Sequence, residues 1–340
     1  MKKVVAFGEI MLRLNPEGYY RFTQAQSFEA SYAGGEANVA VALAQYGEAA
    51  AYVTKLPEND IGQCALNELR RFGVNTDGIV RGGPRLGIYF IEKGASQRAS
   101  KVIYDRAGSS IALAGPEDFD WEKIFEDADW FHFTGITPAL GGRLPEICLN
   151  ACQTARRLGV TVSCDLNYRK KLWTRDEANK VMTKLMPYVD VCISNEEDAF
   201  DVFGVRAKDT DVNSGKLDRA GYISVAEQLT ERFGFKSVAI TLRGSISASE
   251  NDWAGLLYRQ GEASFSPTYR VHLVDRVGGG DSFGGGLIYA LRHGYAAQDA
   301  INFAVAASCL KQTIEHDFSL LSVSEVQSLA AGNASGRVQR

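Results

Sequence analysis

The 340-residue sequence contains no apolar run approaching the ~18 residues that a membrane span requires. Its six cysteines, Cys64, Cys148, Cys152, Cys164, Cys192 and Cys309, are scattered and form no CxxC pair. That pattern excludes a disulfide scaffold and reads as reduced thiols. Basic charge is not in excess: 37 Lys and Arg face 41 Asp and Glu, a net charge of −4. Nonspecific binding to nucleic acid or to a membrane surface is therefore not expected. The opening Met1–Glu9 stops being apolar too soon for a signal peptide, so a cytoplasmic location is expected.

Several catalytic signatures are missing as well. Gly215-Lys216 is followed by Leu217 and lacks the upstream Gly of a Walker A loop. Gly278-x-Gly280 meets Phe283 where a dinucleotide fingerprint needs its third Gly. HExxH does not occur. Gly280-Asp281-Ser282-Phe283-Gly284 has the GxSxG spacing but puts its Ser inside the expected helix rather than on a strand-to-helix turn, and His132, His272, His293 and His316 have no ligand spacing. Zinc chemistry and a serine-hydrolase elbow are not expected.

What is present is a repeated join. Helix-like segments end in Gly47, Gly73, Gly159 and Gly234, and β-rich runs follow at once, such as Val160-Thr161-Val162 and Val238-Ala239-Ile240-Thr241. Gly closes a helix in the left-handed conformation, and four such joins predict βαβ repetition with a mostly parallel sheet covered on both faces. Residues 10–33 and 84–106 break this rhythm. The second stretch reads as a hairpin, and the two are expected to pair into a small β-layer apart from the main sheet. Candidate strands end in polar residues, at Glu9, Thr134, Asp165, Asn195 and Thr241. Ligands of open parallel sheets bind just beyond such ends.

The most informative segment is Asp275-Arg276-Val277-Gly278-Gly279-Gly280-Asp281, which opens a helix expected to run from Asp281 to His293. Gly284, Gly285 and Gly286 lie inside its first turns, each costing ~1 kcal/mol relative to Ala, so something must come close. A glycine-rich loop at a helix N-terminus offers backbone N–H groups to an anion. Asp281, negative where a phosphate would sit, suits a base better than a phosphate binder, although an N-cap Asp has the same appearance.

Together with Gly34-Gly35-Glu36-Ala37-Asn38-Val39-Ala40, this helix resembles the ribokinase-like (PfkB-type) family of carbohydrate kinases. Within the family, Leu86–Phe90, Val102–Ser109, Asp165–Trp173 and Asn195–Ala199 are similar to members that act on 2-keto-3-deoxygluconate, and the match runs to about Glu325. The resemblance implies a three-layer α/β/α sandwich with a β-sheet lid. It places one kinase domain at 1–329, with the lid from about 10–33 and 84–106, while residues 330–340, small and polar, are expected to form a flexible tail. It implies transfer of the γ-phosphoryl of ATP to the sugar's 6-hydroxyl, with Asp281 as base and Gly278, Gly279 and Gly280 as anion hole.

The substrate side would comprise Gly34, Gly35, Asn38, Tyr89, Tyr104, Arg106, Arg169 and Asp317. Tyr104 and Arg106, two apart on one expected strand, would share a face and meet Arg169 at the acid's carboxylate. ATP would contact Asn167, Asn195, Thr241, Arg243 and Gly244. Asn195 and Asp198 would act on Mg²⁺ through water, with Asp198 one methylene shorter than the family's Glu; a helix N-cap with a first-turn acid gives the same pattern. A monovalent cation beside Asp275 is also implied, although Arg276 stands where relatives keep a small residue. A dimer through the lid is expected. The alternatives are a kinase for fructose, ribose or 5-dehydro-2-deoxygluconate, and an inactive sugar-binding regulator on the same fold.

Overall fold

The computed structural model describes residues 2–207 and 219–333, with the side chain of Glu196 excepted. Gly215-Lys216-Leu217 and the last seven positions of the expected tail lie outside the described residues. The helix Val323–Ala330, capped by Ser322, takes in the first residue of that expected tail.

The central sheet is built on Lys3–Phe7, which pairs in parallel with Ala50–Val53 on one side and Ala128–Thr134 on the other. Thr161–Asp165, Val191–Asn195 and Ser237–Ser245 continue the parallel run. Glu250–Arg259 then turns back antiparallel and carries Glu262–Phe265 and Tyr269–His272 on its far edge. Glycines 47, 73, 159 and 234 all have positive φ, between 72° and 83°, as the helix–Gly–strand joins require.

The strands alternate between two cores, as a sheet buried on both faces must. Val5, Phe7, Phe131, Phe133 and Val162 face the helices Leu144–Arg157, Arg175–Leu185 and Arg219–Phe233. Val4, Trp130, Val191 and Ile193 face the helices Gly35–Gln45, Gly279–Arg292 and Ala297–Lys311. The glycines inside Gly279–Arg292 belong to this packing. A Cβ on Gly285 would stand 3.0 Å from the Ala42 methyl, and one on Gly286 would stand 3.0 Å from that of Ala307. What comes close at these positions is the two neighbouring helices.

The two irregular stretches do form a separate sheet, ordered Glu29–Ala33, Met11–Asn15, Gly87–Glu92, Lys101–Asp105. Its outer pairs are antiparallel, as a hairpin gives, while the central pair is parallel. Among the described residues, no helix is long and apolar enough to cross a membrane.

Candidate active site

A cleft of about 1450 Å³ opens at the carboxyl ends of Thr161–Asp165 and Val191–Asn195, with Tyr104 and Arg106 from the lid on its wall. The long strand Ser237–Ser245 runs on past Thr241, so Thr241 lies on the cleft at mid-strand, paired with Asn195, the last residue of its neighbour. The helix Gly279–Arg292 points its N-terminus into the same space, with Gly278, Gly279, Gly280 and Asp281 lining it. Gly278 precedes that helix at φ 81°, and a Cβ there would meet the Asp317 carbonyl oxygen at 2.1 Å, so only glycine fits. The first-turn amides that no helix can satisfy internally are thereby offered to an anion.

Asp281 stands at the floor of the cleft. Its Oδ2 accepts a hydrogen bond from Asn38 Nδ2 at 2.6 Å. Gly35 lies beside it: a Cβ there would be 3.5 Å from Asp281 Oδ1. The carboxyl group is largely shielded from water although it lines the cleft, and this desolvation pushes its pKa up to about 7. Asp317 and Glu36 push in the same direction, while the Asn38 hydrogen bond and the Arg169 charge pull it back. A carboxyl poised near neutrality is suited to take up and release a proton.

Two more carboxyl groups share this floor. Burial raises Asp198 to about 7, and burial together with Asp198 and Asp281 raises Asp165 well above the usual range. Asn195 caps the helix Glu196–Phe203: its Oδ1 accepts from the Asp198 amide at 2.7 Å, and its Nδ2 donates to Asp198 Oδ2 at 2.9 Å. The cap and the acid are thus one unit facing the cleft. Among the described residues, no group of three or more His, Cys, Asp or Glu is arranged to hold a metal ion. An ion here would be held through water and phosphate, and a carboxyl kept up at about 7 is one that a divalent cation would readily ionise. Arg169 is the cation whose field reaches Asp165, Asp198 and Asp281 together. It is exposed, donates only to its neighbour's Tyr168 carbonyl at 3.0 Å, and has no carboxylate partner among the described residues.

The substrate side differs from expectation at three residues. The strand ends at Asp105, so Arg106 lies just beyond it rather than on it. Arg106 does reach the cleft wall, but its guanidinium is taken up by Glu9, which also accepts from Ser109. Its charge is therefore not free for a substrate carboxylate. Tyr89 and Asp317 do not line the cleft: both are buried, with the Tyr89 hydroxyl donating to Asp317 Oδ2 at 2.8 Å. Asp317 also pairs with Arg13, whose other nitrogen donates to Asp275 Oδ2 at 2.6 Å. Tyr104, by contrast, is exposed on the cleft wall, with the Arg106 guanidinium 5.2 Å from its ring centre.

On the far side, Asn167, Arg243 and Arg276 line the cleft while Gly244 does not. Asn167 holds φ at 38°, which turns the chain away sharply after the strand Thr161–Asp165. Arg13 carries no sequence signal for its role, and Glu9 and Glu36 stand out in the sequence only as a polar strand end and as part of the Gly34–Ala40 segment. Glu36, fully enclosed, accepts hydrogen bonds from the Thr134 amide and hydroxyl and from Thr137, fixing the start of the helix that presents Asn38.

Three comparisons bear on this geometry. The model of the pfkB family of carbohydrate kinases matches residues 1–315. The 2-dehydro-3-deoxygalactonokinase of Haloferax volcanii is 35% identical over 334 residues, covering 98% of both chains. The 2-dehydro-3-deoxygluconokinase of Thermoproteus tenax is 27% identical over 93% of this chain and 90% of its own. A crystal structure of 2-dehydro-3-deoxygluconokinase from Thermotoga maritima superposes with a TM-score of 0.94 at 54% identity, over 97% of this chain and 98% of that one.

Proposed function

Since the chain belongs to the pfkB family of carbohydrate kinases, we propose that it transfers the γ-phosphoryl group of ATP to the 6-hydroxyl of 2-keto-3-deoxygluconate. The observation that carries this reading is that one cleft holds a near-neutral carboxyl, a glycine-rich helix N-terminus and an arginine without an acidic partner. Asp281 accepts the proton of the 6-hydroxyl as its oxygen bonds to the γ-phosphorus, and the bond to the β–γ bridging oxygen breaks to release ADP. The amides at Gly279–Asp281 take the charge on the transferring group, and positioning plus charge stabilisation suffice for such chemistry. Mg²⁺ carried with ATP supplies neutralisation of the triphosphate, and Asp198 with Asn195 would hold its water shell. Arg243 and Arg276, which line the same cleft, are assigned to the nucleotide phosphates.

The acid group of the substrate is assigned to Arg169 and Tyr104, since Glu9 occupies Arg106. Closure of the four-stranded lid would exclude water, which otherwise competes for the phosphoryl group. Names of relatives support both the gluco and the galacto acid, which differ in configuration at one carbon. The test is ADP release with ATP and Mg²⁺ against 2-keto-3-deoxygluconate, 2-keto-3-deoxygalactonate, 5-dehydro-2-deoxygluconate, fructose, ribose and no acceptor. Selective turnover of the keto-deoxy acids is expected. Turnover only on a neutral sugar would keep Asp281 and discard the role of Arg169. Sugar binding without any turnover would point to a regulator.

A further inference from the structure

The family resemblance brings with it a monovalent cation beside Asp275, and the residues there do not fit one. The position is already filled by an ammonium group. Lys311, the last residue of the helix Ala297–Lys311, is fully buried and turns its Nζ into a cradle of backbone carbonyls. It donates to the Asp275 and Ile314 carbonyl oxygens, each at 3.3 Å, and to that of His316. An ammonium has three protons and no acceptor, so three carbonyls satisfy it. Rings of backbone carbonyls are also how proteins replace the hydration shell of potassium.

Charge balance leads to the same conclusion. Asp275 and Asp317 are the carboxylates paired with Arg13, and Lys311 is the second cation against them, with Asp281 acting on it more weakly. Asp275, Asp317, Arg13 and Lys311 are all buried, and together they are neutral. A further cation would leave this buried cluster with an unmatched positive charge. The cradle also lies directly behind the anion hole. Asp275 begins the loop that leads to Gly278–Gly280, and its Oδ1 accepts from the Val277 amide at 3.1 Å. The Asp317 carbonyl packs beneath Gly278, and Ser308 on the Lys311 helix donates to the Gly279 carbonyl at 2.6 Å. Lys311 therefore ties the two segments that support the glycine-rich loop.

We propose that Lys311 is a tethered replacement for the monovalent cation, a positioning residue that holds the Asp275–Gly280 loop in its anion-binding form, so that this kinase works without potassium. The test compares the intact protein and Lys311→Ala in potassium, ammonium, methylammonium and choline chloride at equal ionic strength. Both melting temperature and ATP-dependent turnover are read. Melting needs no substrate, so an error in the acceptor sugar cannot mask the result. The wild type is expected to melt within about 1 °C in all four salts and to turn over within about twofold. Lys311→Ala in choline is expected to melt several degrees lower, with kcat down by about tenfold or more and KM for the sugar little changed. Potassium, ammonium or methylammonium should recover part of both losses, and choline should not. A saturable rise of wild-type melting temperature or kcat with potassium overturns the proposal. So does a folded Lys311→Ala protein that none of the small cations rescues, because the lysine then only fills space. If the variant does not fold, the wild-type salt series decides alone.

Discussion

Replacing Asp281 by Asn separates what this carboxyl does for turnover from what it does to the fold. The substitution keeps shape and keeps an acceptor for Asn38 Nδ2, but removes the ability to take a proton. General-base catalysis contributes ~10²–10⁴-fold, so kcat should fall by at least that range with sugar and ATP binding nearly intact. Stability should move the other way. The folded-state pKa is about 7 against an ordinary 3.8, so the fold prefers the protonated form. The penalty for ionisation appears as pH rises past 3.8 and is complete above about 7. At about 1.4 kcal/mol per tenfold change in proton affinity this amounts to about 4 kcal/mol, and water in the open cleft lowers it to about 2–4 kcal/mol. With an unfolding entropy of about 2.1 cal/mol/K per residue over 340 residues, Asp281→Asn should melt about 3–6 °C higher than wild type at pH 8.5. At pH 5.5 the gain should shrink to roughly half, because the wild-type group is then protonated in the folded state. Calorimetry of the ligand-free proteins at the two pH values measures this directly. Retained turnover, or a gain in melting temperature that does not change with pH, would refute the assignment of a desolvated base.

Other outcomes follow from the same geometry. Activity should be lost as pH falls through about 7, with Asp281 protonated; since Arg169 holds this pKa down, Arg169→Ala should move the acid limb of the kcat/KM profile to higher pH, and an unmoved limb would count against their coupling. Arg13→Leu leaves Asp275 and Asp317 buried without their guanidinium and should cost about 3–5 kcal/mol in denaturant unfolding. Gly286→Ala places a methyl 3.0 Å from that of Ala307 and 3.1 Å from the Ala304 Cα, and should cost about 1–3 kcal/mol. A neutral Gly286→Ala would mean that the helices separate freely.

Local chemistry made much of the fold readable in the sequence. The joins at Gly47, Gly73, Gly159 and Gly234 needed only the left-handed conformation that a following strand demands. The lid hairpin followed from two β-rich runs on either side of a turn within residues 84–106, and Asp281 from a glycine-rich loop opening a helix. Pairs formed by distant segments were hidden. In Met11-Leu12-Arg13-Leu14-Asn15 alternation fixes two faces but not which is inside, and the leucines suggest the wrong one: Arg13 is the side chain turned inward. What permits this is a pair of carboxylates more than 260 residues away. Arg106 looked free for the same reason, since Glu9 lies 97 residues before it. The glycines at 284–286 showed that something approaches the helix, but not that at 285 and 286 it is two other helices.

In the proposed mechanism one cleft joins the base Asp281 to a reader of the substrate's carboxylate, Arg169. The most direct test is a two-by-two comparison of kcat/KM: wild type and Arg169→Ala, each on 2-keto-3-deoxygluconate and on a neutral ketose driven at high concentration. Loss of a charge-assisted contact should lower kcat/KM for the acid by about 10–100-fold while changing the neutral sugar by less than about threefold. An equal fall on both acceptors would contradict the account, leaving Arg169 as a group that serves the phosphates or Asp281 alone.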